Sequence, residues 1–119
     1  MSLYQEIILD HYKNPKNFGH IADHNKKGHS KNPLCGDDIS IEVKEVDGTL
    51  TEIAFSGSGC AISMAAASML TQFVKVKTVH QARGVQPQEL LDLLHVELTP
   101  IRMKCALLPL EVLKKALAG

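Results

Sequence analysis

The residues best suited to chemistry in this 119-residue sequence are three cysteines, Cys35, Cys60 and Cys105. They lie far apart along the chain, so none of the short Cys-x-x-Cys spacings of zinc ribbons or thioredoxin-like redox sites applies. Three thiols also cannot pair completely with one another as disulfides. Their number favours a shared metal ion or a reactive thiol, while the plain alternative is that each is a small buried apolar side chain.

Each cysteine lies where a secondary-structure element is predicted to begin or end. Cys35 precedes Gly36 and Asp37 at the start of a strand, and Cys60 follows a glycine-rich turn at the start of a helix. Because a helix N-terminus favours negative charge, we expect a lowered pKa for the Cys60 thiol. Cys105 lies at or just before the last helix. Binding sites are usually built at such positions, which favours one common site.

Hydrophobic periodicity predicts the elements that must position these residues. Leu3 to Tyr12 shows helical spacing, and Lys13 to Lys31 has no periodicity, as is typical of a long loop. Ile39 to Val46 and Leu50 to Phe55 alternate between apolar and polar residues on either side of Asp47-Gly48. This pattern predicts a β-hairpin with a tight turn.

Three helices are predicted after the hairpin. The first begins at or just after Cys60 and reaches about Val76, with small residues that allow close packing on a sheet. Pro87 is well placed to start the second. The last segment repeats leucine and alanine at helical spacing, but Pro109 leaves open whether this helix begins before or after Cys105.

Composition predicts a single domain over residues 1–119, because 45% of the residues are hydrophobic. Lys plus Arg (13) offset Asp plus Glu (13), so no net field attracts nucleic acid or an anionic membrane. No stretch approaches the roughly 20 apolar residues of a membrane span, and the N-terminus lacks the apolar core of a secretory signal. We therefore expect a cytoplasmic protein whose thiols stay reduced. The oligomeric state, monomer or homo-oligomer, is left open.

Four segments carry a family resemblance, and three of them contain a cysteine. They are Tyr4 to Gly19 (YQEIILDHYKNPKNFG), Asn32 to Asp37 (NPLCGD), Gly57 to Ser63 (GSGCAIS) and Arg102 to Ala106 (RMKCA). In this order they resemble the IscU/SufU/NifU N-terminal family of iron-sulfur cluster assembly proteins. The resemblance implies an α+β domain in which helices pack on a three-stranded antiparallel sheet.

The resemblance also implies a metal site. It maps three cysteines and one aspartate onto Cys35, Asp37, Cys60 and Cys105, which would hold zinc, iron or a [2Fe-2S] cluster. Asp38 is the neighbouring alternative to Asp37, but the family pattern selects the first acidic residue after Cys-Gly. Soft thiolates suit zinc and iron-sulfur clusters, and the harder carboxylate would be easier to displace.

Two features place the sequence between the branches of that family. The IscU branch commonly has a histidine before its last cysteine and an LPPVK chaperone-binding segment, whereas this chain has Lys104 and LTPIR (98–102). The missing histidine makes Asp37 the expected fourth ligand, as in the SufU branch, but the insertion usual in SufU proteins is absent. None of the six histidines is expected to be a ligand, and His29 is the nearest alternative because it approaches Cys35 in sequence.

The function implied is that of a scaffold or a zinc-dependent sulfurtransferase rather than a conventional enzyme. A cysteine desulfurase would supply persulfide sulfur, and apo iron-sulfur proteins would receive the product. Cys105 is the expected persulfide acceptor, because the charges of Arg102 and Lys104 would favour its thiolate and attract an anionic persulfide. Cys35 is the rival acceptor, since a mobile loop from Asn17 to Asn32 would let a partner's cysteine approach. The alternative function is a structural zinc module without sulfur transfer.

Overall fold

The computed structural model describes residues 3–33 and 36–118, apart from the Tyr4 side chain. The fold class is α+β, as expected. The elements are α1 (Leu3–Lys13), β1 (Lys26–Asn32), β2 (Asp37–Val46), β3 (Thr49–Ser58), α2 (Ala61–Val74), α3 (Val79–Arg83), α4 (Pro87–Leu94) and α5 (Pro100–Leu117). The strands form an antiparallel sheet in the order β1-β2-β3, which confirms the three-stranded sheet implied by the resemblance.

Strands β2 and β3 form the predicted hairpin. Asp47 and Gly48 both have positive φ angles, 51° and 81°, which suits a two-residue connection between twisted strands. The register places Ile41 opposite Phe55, and both side chains are fully buried. This face of the hairpin is the surface on which the helices pack.

The helices cover one face of the sheet. Helix α5 packs on β1 and β2, α2 packs on β3 and on α5, and α1 packs on the outside of α2. The three consecutive alanines of α2, residues 65–67, are fully buried, because small side chains let the helix approach its neighbours closely. Within the described residues, no helix is both long enough and apolar enough to cross a membrane.

Strand β1 shows that the prediction of a loop from Lys13 to Lys31 is wrong at its C-terminal end. The sequence of β1, KKGHSKN, contains no apolar side chain that could mark it as a strand. The strand forms because it pairs with β2 and lies directly against α5. A Cβ atom added to Gly28 would lie only 2.3 Å from the carbonyl oxygen of Val112. Backbone contact rather than side-chain burial therefore specifies this strand.

The remaining helices follow the prediction with two differences, and the structure decides where the last helix begins. Helix α2 ends at Val74, and Val76 then adopts a left-handed φ of 64° that turns the chain away. The short helix α3 was not predicted, whereas α4 begins at Pro87 as expected. Helix α5 begins at Pro100, before Cys105, and keeps Pro109 inside it. Pro109 has no N–H group to donate to the carbonyl oxygen of Cys105 one turn earlier.

The segment between α1 and β1 lies along the outer edge of β3 and then on the sheet. The N–H group of Phe55 donates to the carbonyl oxygen of Asn17 at 2.9 Å, and the N–H group of Gly19 donates to the carbonyl oxygen of Phe55 at 2.8 Å. Further along, the N–H group of Ile21 donates to Oε1 of Glu42 at 2.9 Å. The first two bonds fix the segment to the edge of β3, and the third fixes it to the face of the sheet opposite the helices.

Candidate metal centre

Three side chains from three different elements meet at one end of the sheet. Asp37 is the first residue of β2, Cys60 caps the N-terminus of α2, and Cys105 lies in the first half of α5. One ligand atom of each residue lies within 4.8 Å of the other two. Residues that are distant in sequence thus form a compact group of two thiols and a carboxylate.

The carboxylate of Asp37 is almost completely buried, with 1% of the residue exposed. Its Oδ1 atom accepts a hydrogen bond from the N–H group of Cys60 at 3.0 Å. Its Oδ2 atom is also buried and has no hydrogen-bond partner among the described residues. A buried carboxylate oxygen without a partner is costly, so this atom has the environment of a metal ligand.

The glycine-rich turn before Cys60 makes this contact sterically possible. A Cβ atom on Gly59 would lie 2.7 Å from Oδ1 of Asp37 and 2.3 Å from Oγ of Ser63. A Cβ atom on Gly57, where φ is +122°, would lie 1.9 Å from the carbonyl oxygen of Asp38. Gly57 is required because the backbone of β2 lies so close to it, and a side chain at Gly59 would crowd Asp37 and Ser63.

Cys60 is the N-cap residue of α2, as the sequence predicted. Its Sγ atom accepts a hydrogen bond from the N–H group of Ser63 at 3.5 Å, and the hydroxyl oxygen of Ser63 lies 3.7 Å from the same sulfur. Burial raises the pKa of the Cys60 thiol, and the charge of Asp37 acts in the same direction. The hydrogen bonds from Ser63 and from the N–H group of Ile62 outweigh both effects, so the pKa is lower than usual.

Cys105 is fully buried. The side-chain amide of Asn32 lies 4.0 Å from its Sγ atom, within the range of a weak hydrogen bond to sulfur. Asn32 is also the cross-strand partner of Asp37 in the β1-β2 ladder. Arg102 and Lys104, by contrast, are exposed. The amide of Asn32 is therefore a polar neighbour that sequence reasoning missed.

Residues 3–119 match the protein family described as the NifU-like N terminal domain. The chain belongs to this family. The zinc-dependent sulfurtransferase SufU of Bacillus subtilis (strain 168) is 38% identical, over 98% of this chain and 90% of SufU. The iron-sulfur cluster assembly scaffold protein IscU of Escherichia coli (strain K12) is 30% identical, over 97% of this chain and 91% of IscU.

Solved structures agree with this NifU-like assignment. A SUF-system protein from Fervidobacterium islandicum AW-1 superposes with a TM-score of 0.81 and 27% sequence identity, over 94% of both chains. The alignment with SufU covers 135 positions, more than this chain contains. SufU therefore carries residues without a counterpart in this NifU-like domain.

Strand geometry separates the two adjacent acidic residues of this NifU-like domain. Successive side chains of a strand point to opposite faces of the sheet, so Asp38 lies on the face opposite Asp37. There its Oδ1 atom lies 2.5 Å from Nε2 of His29, and its Oδ2 atom lies 3.8 Å from Nζ of Lys31. Among the described residues, the group around Asp37 contains neither Asp38 nor any histidine.

Cys35, the remaining predicted ligand, lies outside the described residues. The short connection that carries it begins after Asn32 and ends before Asp37, and both of these residues belong to or touch the group. Its role as a ligand stays a prediction. Two further residues, Asn32 and Ser63, were overlooked although both lie inside the segments that carry the family resemblance. For Ser63 a signal existed, since the residue three positions after a predicted N-cap commonly donates to the capping side chain.

Proposed function

We propose that this protein takes part in iron-sulfur cluster assembly by holding one metal ion at Asp37, Cys60, Cys105 and Cys35 and by accepting sulfur from a cysteine desulfurase. The observation that carries the proposal is the buried Oδ2 atom of Asp37, which lacks a hydrogen-bond partner among the described residues and belongs to a group with two thiols. Membership of the NifU-like family and similarity to SufU and IscU support the same function.

The donor atoms fit a thiophilic metal. Thiolates select zinc or iron-sulfur clusters, and a carboxylate completes a set that differs from the all-Cys/His sites of purely structural zinc. When bound, zinc would supply the positive charge that keeps the thiols ionised and offsets the burial of the carboxylate. Oδ1 of Asp37 already accepts a hydrogen bond from the N–H group of Cys60, so Oδ2 is the oxygen available to the metal.

Zinc, rather than a preformed cluster, is the proposed metal of the isolated protein. The residue before the last cysteine is Lys104, which is exposed and is a poor ligand while it carries its charge. Asp37 therefore takes the fourth position in this proposal. The 38% identity to a protein named as a zinc-dependent sulfurtransferase supports the choice.

Sulfur transfer needs only a thiolate of this chain and the persulfide of the desulfurase. The thiolate attacks the terminal sulfur of the desulfurase persulfide, the sulfur-sulfur bond to the desulfurase cysteine breaks, and that cysteine leaves as a thiolate. A new persulfide forms on this chain without any external oxidant. Cys105 is the proposed acceptor and Cys35 its rival. Because Cys105 is fully buried, its sulfur becomes reachable only when the surrounding elements move.

The burial of Asp37 and Cys105 also favours a second candidate, a structural zinc site. Such a site contributes folding free energy outright, so removing its metal unfolds the domain. A transfer site loses sulfur acceptance while the domain, which has its own hydrophobic core, stays folded.

The decisive experiment is anaerobic purification followed by metal analysis, a visible absorption spectrum and a sulfur-transfer assay with a cysteine desulfurase and cysteine. We expect a colourless protein with about one zinc per chain that accepts sulfur. Alanine at Cys35, Cys60 or Cys105 should release the metal. A brown protein would favour the scaffold role. Two alanine variants with full, tightly held metal, or unfolding of the domain by a chelator, would overturn the proposal.

A further inference from the structure

A groove of about 700 Å³ lies beside the metal site, between α5 and the end of β1. Its floor is apolar and includes Leu107, which is half-buried, and Leu108 and Leu110, which expose little surface. Most residues of its α5 wall, from Lys104 to Lys115, are related by steps of three or four positions, so the groove follows one face of the helix. Asn32 lines the end of the groove and also contacts Cys105.

The rim of this groove carries an excess of positive charge. Among the described residues that line it are four lysines and one acidic residue, Glu111. Lys31 is paired with Asp38 at 3.8 Å and Lys115 with Glu111 at 3.6 Å, so the excess rests mainly on Lys104 and Lys114. The whole chain has a formal net charge of zero, so this excess is a local feature of the groove.

We propose that the groove binds an extended acidic segment of a partner protein, with apolar side chains on the leucine floor and carboxylates on the lysine rim. The distance along α5 from Lys104 to its end at Leu117 is about 20 Å, which about six extended residues span. A nucleic acid fits less well, because the floor is aliphatic and the described part of the lining contains no aromatic side chain on which a base could stack. The inference concerns binding alone and does not depend on the sulfur chemistry.

The groove ends where Asn32 contacts Cys105. A partner anchored along α5 would therefore be held next to the metal site without contacting the metal. Exposed lysines on the rim would speed encounter with an acidic segment, and the leucine floor would add affinity once the segment is docked. The structure thus assigns two surfaces to one end of the molecule, a polar site for chemistry and a separate groove for attachment.

The test uses fluorescently labelled peptides of about eight residues and the full zinc-loaded chain, with binding followed by fluorescence anisotropy. The first peptide alternates glutamate with leucine. The second has lysine in place of glutamate, and the third has serine in place of leucine. We expect binding of the first peptide only, and weaker binding at about 300 mM than at about 50 mM salt.

The protein variants locate the binding site. The double variant Lys104→Glu/Lys114→Glu should weaken binding of the acidic peptide at least about tenfold. The matched control, Lys13→Glu/Lys75→Glu, changes the net charge by the same amount at exposed positions away from the groove, and its affinity should stay within about twofold of the unmodified chain. Because all four lysines are exposed, neither double variant should unfold.

Four results would overturn the proposal. Equal weakening in both double variants would show a response to net charge rather than to the groove. Equal binding of the glutamate-serine peptide, or tighter binding of an RNA oligonucleotide that is lost in Lys104→Glu/Lys114→Glu, would mean that the leucine floor holds no peptide. Self-association in analytical ultracentrifugation that the same variant abolishes would identify a second copy of this chain as the occupant.

Discussion

The N–H group of Cys60 donates a 3.0 Å hydrogen bond to Oδ1 of Asp37. This bond joins the start of α2 to the start of β2, and it uses one oxygen of a carboxylate whose other oxygen has no hydrogen-bond partner among the described residues. The two oxygens therefore have separate tasks. Oδ1 links the start of β2 to the start of α2 through a hydrogen bond, and Oδ2 is available to a metal ion.

This division of tasks makes Asp37→Asn an informative substitution. Asparagine can still accept the hydrogen bond from Cys60, but its amide nitrogen cannot replace an anionic oxygen ligand. We expect the fold to persist and zinc affinity to fall by more than the roughly 10- to 100-fold that loss of an outer hydrogen-bond partner costs. Competition with a chromophoric chelator measures the affinity. Any cluster assembled on the chain should also leave Asp37→Ala more slowly than the unmodified protein, because the displaceable ligand is gone.

Asp38→Asn is the control for this substitution, since Asp38 lies on the opposite face of the sheet with His29 and Lys31. It should leave zinc affinity unchanged. Equal losses in the two variants would show that charge near the site matters and that Asp37 is not a ligand.

Gly59→Ala should disturb the site by steric crowding. The added methyl group would lie 2.7 Å from Oδ1 of Asp37 and 2.3 Å from Oγ of Ser63. We expect a loss of about 1–3 kcal/mol in the free energy of unfolding, measured by urea denaturation, together with weaker zinc binding. Gly84→Ala is the matched control, because its nearest neighbour would be 3.5 Å away and no positive φ is required there. Comparable losses in both variants would contradict the crowding argument.

The position of transferred sulfur can be read from the unmodified chain. After incubation with a cysteine desulfurase and cysteine, persulfides are trapped by alkylation and located by peptide mass spectrometry. We expect the label on Cys105, whose full burial predicts slow transfer that a bound partner accelerates. Label on Cys35 before Cys105 would replace the proposed acceptor with its rival. The half-buried Cys60, held by Ser63, should stay unlabelled.

Glu42 should make the folded protein less stable as the pH falls into the acidic range. Its Oε1 atom accepts a hydrogen bond from the N–H group of Ile21 and lies 3.3 Å from Nδ1 of His20. Its Oε2 atom lies 3.6 Å from Nδ1 of His24. Burial raises the pKa of Glu42. The hydrogen bond from Ile21 and the charges of the two histidines lower it by more than burial raises it, so the pKa lies below its usual value. Its contribution is therefore present above about pH 4.3 and is lost as pH falls through the lowered pKa.

The measurement compares Glu42→Gln with the unmodified chain by denaturation at several pH values. The stability difference should be large at about pH 6 and should shrink as the pH falls through the lowered pKa of Glu42, below which the glutamate is protonated in both states. Glu52→Gln, at an exposed position of β3, should show no such trend. A difference that is constant with pH would mean that Glu42 acts through its shape and hydrogen bonds alone.

The elements around the site were predictable to the extent that apolar residues mark them. The β2-β3 hairpin and the start of α2 at Cys60 follow from alternation, an Asp-Gly turn and a glycine-rich approach to a helix. Strand β1 has no such marker, because its contact with α5 is made by the backbone of Gly28. A strand whose packing depends on a glycine, which has no side chain, leaves no hydrophobic pattern in the sequence.

The site was likewise predictable from the sequence only in part. The family motifs named Asp37, Cys60 and Cys105, and the structure brings these three together. The motifs did not indicate that Cys105 is fully buried while Arg102 and Lys104 are exposed. Charges adjacent in sequence need not be adjacent in space on a helix, because neighbouring residues point in different directions. The contact between Asn32 and Cys105 likewise depends on the packing of β1 against α5.

The segment that follows α1 protects the molecule from its neighbours in a crowded solution. The outer edge of β3 would otherwise offer unpaired N–H and C=O groups on which another chain could add a strand. Asn17 and Gly19 already use both groups of Phe55, and at the other end of β3 the N–H and C=O groups of Leu50 bond to the backbone of Lys77 and Val76. A second molecule therefore cannot extend the sheet at either point. Self-association through this edge of the sheet is in this way blocked where Phe55 and Leu50 lie.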